Sequence, residues 1–507
     1  MDTNDLAILI GRLEREADDY PRLHLAKVVL IAAFGFLPLA LCLAAAGIGL
    51  IWLIYFLIIE GRAPFLPVLL IVLGSAGAFV LVRALSVPGK TPGGRKIDAD
   101  DAPALFDAIE DVVERMAFVG WRGIVHRASI HSVRIDASFD LRLHQVPRWG
   151  VFGGYRHHLQ IGIPLLSALT IAELKALLAH EIGHLRSQRE RLVPWLYRQR
   201  QAWRVVQQRL EHPANAVERL IGRLYGRYAV YFQAYTFVLA RRLEYAADRA
   251  AAVATHPGVL ANALTKLALM RRFLEEVFWP RFLSRVEEMP EPPYPPYSVM
   301  PRAFAVAHKQ WARQDWLDRA VRTLPQTGDT HPSLGERFEA LNIQPAPPAY
   351  AADRSALSLF GSDAPKMLRW CDDLWRKENA TAWRRRHEQI MELRWKLAEY
   401  DKTPPAEASP EDLWQKAVLL VDLGDYGRAI DELQYLVGRE PALAKAQLLL
   451  GKLLLQLGNE RGLENLLLAA EHDAAMTDEA ADTGYAYLVE RGRKGEAQRF
   501  WERVCGA

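Results

Sequence analysis

Cysteine is scarce in this chain: Cys42, Cys371 and Cys505 are the only three among 507 residues, and they lie far apart. So few sulfurs exclude a disulfide framework and a thiolate zinc site, and they suit a reducing compartment. An excess of one charge is also missing. Lys and Arg number 63 against 60 Asp and Glu, a formal net charge of +3. That balance excludes a dedicated nucleic-acid binder, and no nucleic-acid partner is expected. Half of the residues are hydrophobic and 24% are charged, which excludes wholesale disorder and low-complexity chains. The length suits about three domains.

Charge is missing locally as well. No charged residue occurs from Val28 to Ile59, and Ala63 to Val82 is a second uncharged run, with Glu60-Gly61-Arg62 as a polar turn between them. About 20 apolar residues span the hydrocarbon core, so the sequence predicts a two-helix transmembrane hairpin over 28–86, against the alternative of buried core helices. A cleaved signal peptide is not expected, because the first run is too long and a second follows at once. Arg12, Arg15, Arg22 and Lys27 precede the hairpin and Arg83, Lys90, Arg95 and Lys96 follow it, whereas the turn has only Arg62. By the positive-inside bias both flanks face the cytoplasm. The expectation is a multi-pass protein of the inner (cytoplasmic) membrane, with a short cytoplasmic tail over 1–27 and the bulk of the chain on the cytoplasmic side.

Ser86 to Lys96 reads as a linker, and Asp101 to Ala117 has helical apolar spacing. Strands are predicted at 124–130 and 158–163. Thr170-Ile-Ala-Glu173 is a capping box opening a long helix, after which the pattern is nearly all helical to about residue 285. Pro290 to Pro301 is expected to be a stiff irregular loop. In the tail, Leu423-Gly424-Asp425 recurs 34 residues later as Leu457-Gly458-Asn459, with Ala429 and Leu463 in the same register. A 34-residue period with two helices per unit is the tetratricopeptide signature. Residues 410–507 are therefore expected to form two repeats and a degenerate third, presenting a surface for a protein or peptide partner.

The capped helix carries His180-Glu181-Ile182-Gly183-His184. Histidines four apart project from one helix face toward one point, and neutral imidazole is a good zinc ligand. Glu181 lies beside them without needing to ligate, which is the mechanical logic of the H-E-x-x-H motif. No third histidine follows at short range: Ser187 and Glu190 stand where a glycine and a histidine would be needed. The best third ligand is Glu244, in Glu244-Tyr-Ala-Ala-Asp248. Asp248, on the same helix face, can accept the free N–H of a ligating imidazole.

His-Glu-x-x-His followed by Glu-x-x-x-Asp on a later helix resembles the membrane gluzincin peptidases of the HtpX heat-shock protease and CAAX prenyl protease type. Thr330-His331-Pro332-Ser333, with Arg337 and Leu341, is similar to a third segment of that family. The resemblance covers about residues 100–345. It implies His180, His184 and Glu244 as ligands of one Zn2+ per chain, Glu181 as catalytic acid/base and Asp248 as partner of a ligand. It also implies His331 and Arg337 near the substrate, where they would polarise the scissile carbonyl. One departure concerns the second membrane hairpin that HtpX-type enzymes carry between the zinc motifs. Residues 185–243 are instead rich in Arg and Gln, and no stretch there is long and apolar enough to span.

The reading is thus a mainly α protein with a small β-sheet. A transmembrane hairpin precedes a zincin-like α+β catalytic domain over 97–345, a helical linker over 346–409 and a C-terminal tetratricopeptide-like α-solenoid. The expected activity is zinc-dependent endopeptidase cleavage of polypeptides at the lipid bilayer, with membrane-protein quality control as the expected role. His158, Leu159, Gln160 and Ile161, on the strand before the motif helix, are expected to pair with an extended substrate. The alternative is a membrane-tethered repeat scaffold with a structural or idle zinc site.

Overall fold

The computed structural model describes residues 3–119, 125–186, 192–212, 216–323, 331–350 and 354–506. The chain is mainly helical with a small mixed sheet, and it divides into two compact units. One comprises Met1–Phe282 and Tyr294–Arg376, the other Leu283–Pro293 and Lys377–Ala507.

The first unit opens with α1 (Thr3–Asp19), α2 (Pro21–Phe34), α3 (Leu37–Ile59) and α4 (Phe65–Leu85). Only α3 and α4 are long and apolar enough to cross a membrane among the described residues, and 6% and 22% of their most apolar stretches are buried. Two adjoining helices so apolar and so exposed leave a surface that water does not tolerate, which points to association with a membrane. The uncharged run from Val28 is broken at Gly35-Phe36, because Pro38 has no N–H with which to continue the helix. Residues before the break turn inward: Val28 and Ala32 of α2 are buried against Trp203, Val206 and Phe232. Nor is 1–27 a loose tail, since Ile10, Leu13 and Ala17 of α1 pack on Ala234, Phe237 and Val238.

The sheet follows. Its strands β1 (Arg95–Ile97), β4 (Ser132–Asp136), β6 (Tyr155–Gly162) and β5 (Leu141–Pro147) lie in that order, while β2 (Phe118–Val119) and β3 (Val125–His126) form a separate pair. β4 and β6 are parallel, with Val133 opposite Leu159; β5 and β6 are antiparallel, with Leu143 opposite Leu159. The expected strand at 124–130 is realised only at Val125–His126; the strand that joins the sheet starts at Ser132. Inward-facing Val133, Ile135, Leu159 and Ile161 meet Leu105, Ile109 and Val112 of α5 (Pro103–Arg115) and Leu174 and Leu178 of α7 (Ile171–Arg186), which follows the short α6 (Ile163–Ala168).

Beyond α7 come α8 (Leu192–Glu211), the 39-residue α9 (Ala216–Ala254) and α10 (Pro257–Phe273). The start of α7 is fixed twice. Thr170 N–H donates to Glu173 Oε2 at 2.8 Å and Glu173 N–H to Thr170 Oγ1 at 3.3 Å, the expected capping box. Buried Lys266 of α10 then reaches the same Glu173 oxygen at 2.8 Å. The segment Pro290–Pro301, expected to be irregular, is helical from Pro296 to Val306. Pro296 needs no N–H in the first turn, and Asp372 accepts the Tyr297 amide at 2.7 Å.

In the second unit, three helix pairs occupy Pro410–Asp422 with Tyr426–Arg439, Ala444–Gln456 with Gly462–His472, and Thr477–Glu490 with Lys494–Cys505. Gly424, Gly458 and Gly492 sit in the three turns at φ 78°, 79° and 76°. This left-handed conformation favours glycine, and the three turns share one 34-residue spacing.

Removing one partner of a buried ion pair strands the other charge. Lys266→Met is therefore expected to cost about 3–5 kcal/mol, read as a lower urea midpoint of the detergent-solubilised protein. Lys266→Met with Glu173→Gln should recover part of that loss.

Candidate metal centre

Two helices build the site. His180 and His184 stand one turn apart on α7, and Glu244 and Asp248 one turn apart on α9. Their meeting requires Gly183: a Cβ there would lie 3.0 Å from the Ala247 Cα and 3.2 Å from its Cβ. A Cβ at 183 would make α9 give by a few tenths of an ångström, and Glu244 with it. With the helices in contact, His180 Nε2 lies 3.5 Å from one Glu244 oxygen and His184 Nε2 lies 3.6 Å from the other. These are too long for hydrogen bonds. One donor atom from each of the three residues lies within 4.8 Å of the other two, close enough for a single ion to reach all three. The three donors form the group that could hold a metal ion among the described residues, and two imidazoles with one carboxylate fit zinc.

The charges around this triad alternate. His180 Nδ1–H donates to Asp248 Oδ1 at 2.8 Å. Asp248 in turn accepts Arg337 Nε at 2.8 Å and Nη2 at 2.5 Å. Burial disfavours charge on His180, but Asp248 and Glu244 outweigh it and raise its pKa to about 9. For His184 burial prevails and lowers the pKa to about 4. Burial would raise both carboxyls; Arg337 and His180 instead lower Asp248 to about 2, and His180 and His331 hold Glu244 well below the usual carboxylate range. Glu181 differs. Burial pushes its carboxyl up against the opposing charge of His180. Its Oε2 accepts the Leu143 amide of β5 at 2.7 Å, while Oε1 takes no hydrogen bond among the described residues.

The group opens into a cleft of about 940 Å³. Arg142, Leu143 and His144 of β5 form one wall, Tyr197 and Gln201 of α8 another, and His331 stands at the rim. His331 is 62% exposed at its side chain, with Nδ1 3.0 Å from Glu244 Oε2. Thr330, which precedes it in the third motif, lies outside the described residues.

Two expectations change. His158, Leu159, Gln160 and Ile161 cannot pair with a substrate, because β6 is hydrogen-bonded on both sides, to β4 and to β5. Leu159 and Ile161 are buried in the core, and His158 Nδ1 is engaged with Ser132 Oγ at 2.7 Å. The sheet's open edge along the cleft is β5. Arg337, expected to face a substrate carbonyl, lines the cleft but commits its guanidinium to Asp248.

Several contributors escaped the sequence reading. Tyr197 stacks on His184 with centroids 6.2 Å apart and planes 4° apart. Arg241, one turn before Glu244, binds Glu14 of α1 at 2.8 Å and both oxygens of Glu336 at 2.7 Å. Glu336 closes a capping box with Ser333 at the start of the helix Leu334–Leu341, which carries Arg337. The alternation of Leu141 and Leu143 with Arg142 and His144 was a legible strand signal for β5. Nothing local marked Tyr197 or Arg241.

If the α7–α9 contact sets the triad, Gly183→Val should destabilise the protein by about 1–3 kcal/mol in urea unfolding. It should also weaken binding of added cobalt(II), followed by its visible absorption.

Neither a curated protein nor a solved structure matches the chain. Residues 156–344, less than half of it, match the model of peptidase family M48. That stretch runs from β6 through the helix Leu334–Leu341 and holds His180, His184, Glu244, Asp248 and Arg337 together. Residues 156–344 are therefore similar to peptidase family M48, a family of zinc-dependent metallopeptidases.

Proposed function

We propose that the protein is a membrane-anchored zinc endopeptidase whose α3–α4 hairpin tethers a catalytic domain at the cytoplasmic face of the inner membrane. The observation that carries this reading is the donor triad beside a half-buried, single-bonded Glu181. His180, His184 and Glu244 would hold one zinc ion, which when bound supplies Lewis-acid polarisation of a peptide carbonyl and activation of water. Asp248 fixes the His180 ring by accepting its Nδ1–H, and Arg337 fixes Asp248. Glu181, anchored through Oε2, has Oε1 to take a proton from the attacking water and return it to the leaving amine; its raised pKa suits both transfers. His331 at the rim is assigned to the developing oxyanion, and Arg337 to positioning.

The open edge of β5 offers main-chain pairing to an extended polypeptide, a recognition that reads backbone more than side chains. Broad cleavage of unfolded segments follows, consistent with a role in membrane-protein quality control. The three helix pairs with turn glycines 34 residues apart support a tetratricopeptide-like tail, whose concave face would hold a protein or peptide partner.

Purified full-length protein should cleave casein. Glu181→Gln should keep its zinc, measured by metal analysis, and lose at least about 100-fold in rate; zinc retained with unchanged cleavage would remove Glu181 from the mechanism. Asp248→Asn should weaken zinc affinity by about 10–100-fold in chelator competition.

A further inference from the structure

The loop between β5 and β6 lies directly against the end of α4. Gly150, at φ 54°, approaches so closely that a Cβ there would stand 1.9 Å from the Leu85 carbonyl oxygen. Beside it the Gly89 amide donates to Pro147 O at 2.8 Å. On its other flank Phe152 meets Phe36, the residue before α3, at 6.2 Å between rings. The loop is thus held level with Leu37 and Leu85, where the two apolar helices start and finish. If those helices span, this is the depth at which hydrocarbon gives way to headgroups.

The side chains there suit that depth. Trp149 is 57% and Phe152 40% exposed, although the loop is otherwise anchored. Arg148 lies 5.6 Å from the Trp149 ring and Arg198 of α8 lies 5.8 Å from the Tyr155 ring. Neither arginine has a carboxylate within ion-pair distance among the described residues, in a chain where most arginines near the metal centre are paired. A cavity of about 590 Å³ opens beside Arg198, lined by Phe36, Phe152, Gly154, Tyr155, Trp195 and Arg198, and the Arg148 Cβ lies 3.5 Å from where a Cβ on Gly154 would stand. Exposed aromatics beside uncompensated cations are what the membrane interface selects: the rings partition at headgroup level and the cations meet phosphate.

We propose that this surface binds an anionic phospholipid, with Arg148 and Arg198 on the phosphate and Trp149, Phe152 and the cavity taking the glycerol and upper acyl portion. The proposal rests on the reading of α3 and α4 as membrane spans. A bound lipid would hold the β5–β6 turn, and so the cleft edge, at a set height above the bilayer.

The test titrates full-length protein in detergent micelles with phosphatidylglycerol or phosphatidylcholine, with bound lipid counted by native mass spectrometry. The wild type should prefer phosphatidylglycerol. Arg148→Gln with Arg198→Gln should weaken it about 5-fold per arginine, about 25-fold together, and leave phosphatidylcholine unchanged. Trp149→Ala with Phe152→Ala should weaken both lipids. An unfolding midpoint matching the wild type, and retained preference in the double lysine variant, would show that the arginine variant fails through lost charge. Equal binding of the two lipids, or an arginine variant that binds phosphatidylglycerol like the wild type, would overturn the proposal. So would displacement of the lipid by micromolar glycerol phosphate, which would make this a soluble-phosphate site. Extraction of membranes at alkaline pH reports separately on the spans: release of the wild type would refute the hairpin, whatever the micelle titration gives.

Discussion

The approach of α7 to α9 at Gly183 and Ala247 is the contact on which the metal centre depends. The spacing of His180 and His184 belongs to one helix and would exist in isolation. The position of Glu244 relative to them depends on two helix backbones so close that a Cβ at 183 would make α9 give by a few tenths of an ångström. An ångström of extra separation would be large against the metal–ligand bond lengths that zinc imposes.

That contact also buries charge, and the surrounding residues answer the cost. Asp248 is fully buried and Glu244 and His180 nearly so, so each needs an oppositely charged or hydrogen-bonding neighbour. The order Glu244, His180, Asp248, Arg337 supplies one at every step. A second set of pairs starts at Glu336, next to Arg337 in sequence, and runs through Arg241 to Glu14 of α1. The N-terminal helix α1, which α2 separates from the apolar hairpin, is therefore joined by ion pairs to the helix that carries Arg337.

The open edge of the sheet and the end of α4 are served by one strand. β5 borders the cleft through Leu143, which holds Glu181, and runs into the loop locked under Leu85. In the reading developed above, recognition of an extended chain and contact with the bilayer surface meet at opposite ends of this strand. If α3 and α4 span a bilayer, a cleft so near their ends would suit substrates that are themselves held at the membrane.

Local features were legible in the sequence because their causes are local. The i,i+4 histidines, the Thr170–Glu173 capping box, the two uncharged runs and the 34-residue spacing each follow from helix geometry, peptide hydrogen bonding or transfer of apolar side chains. The structure extends that last period to Gly492, where side chains had diverged and only the backbone demand for a left-handed turn persisted. What the sequence could not decide was partnership across the fold. Strand order made β6 an interior strand and left β5 as the edge, since period-2 alternation shows which face is apolar but not which strands are neighbours. The direction of Arg337 was set by where Asp248 came to lie, and the packing of α1 and α2 by the exposed face of α9. These outcomes depend on distances between residues apart in sequence, 89 positions for Arg337 and Asp248 and 227 for Glu14 and Arg241, which exist only once the chain has folded.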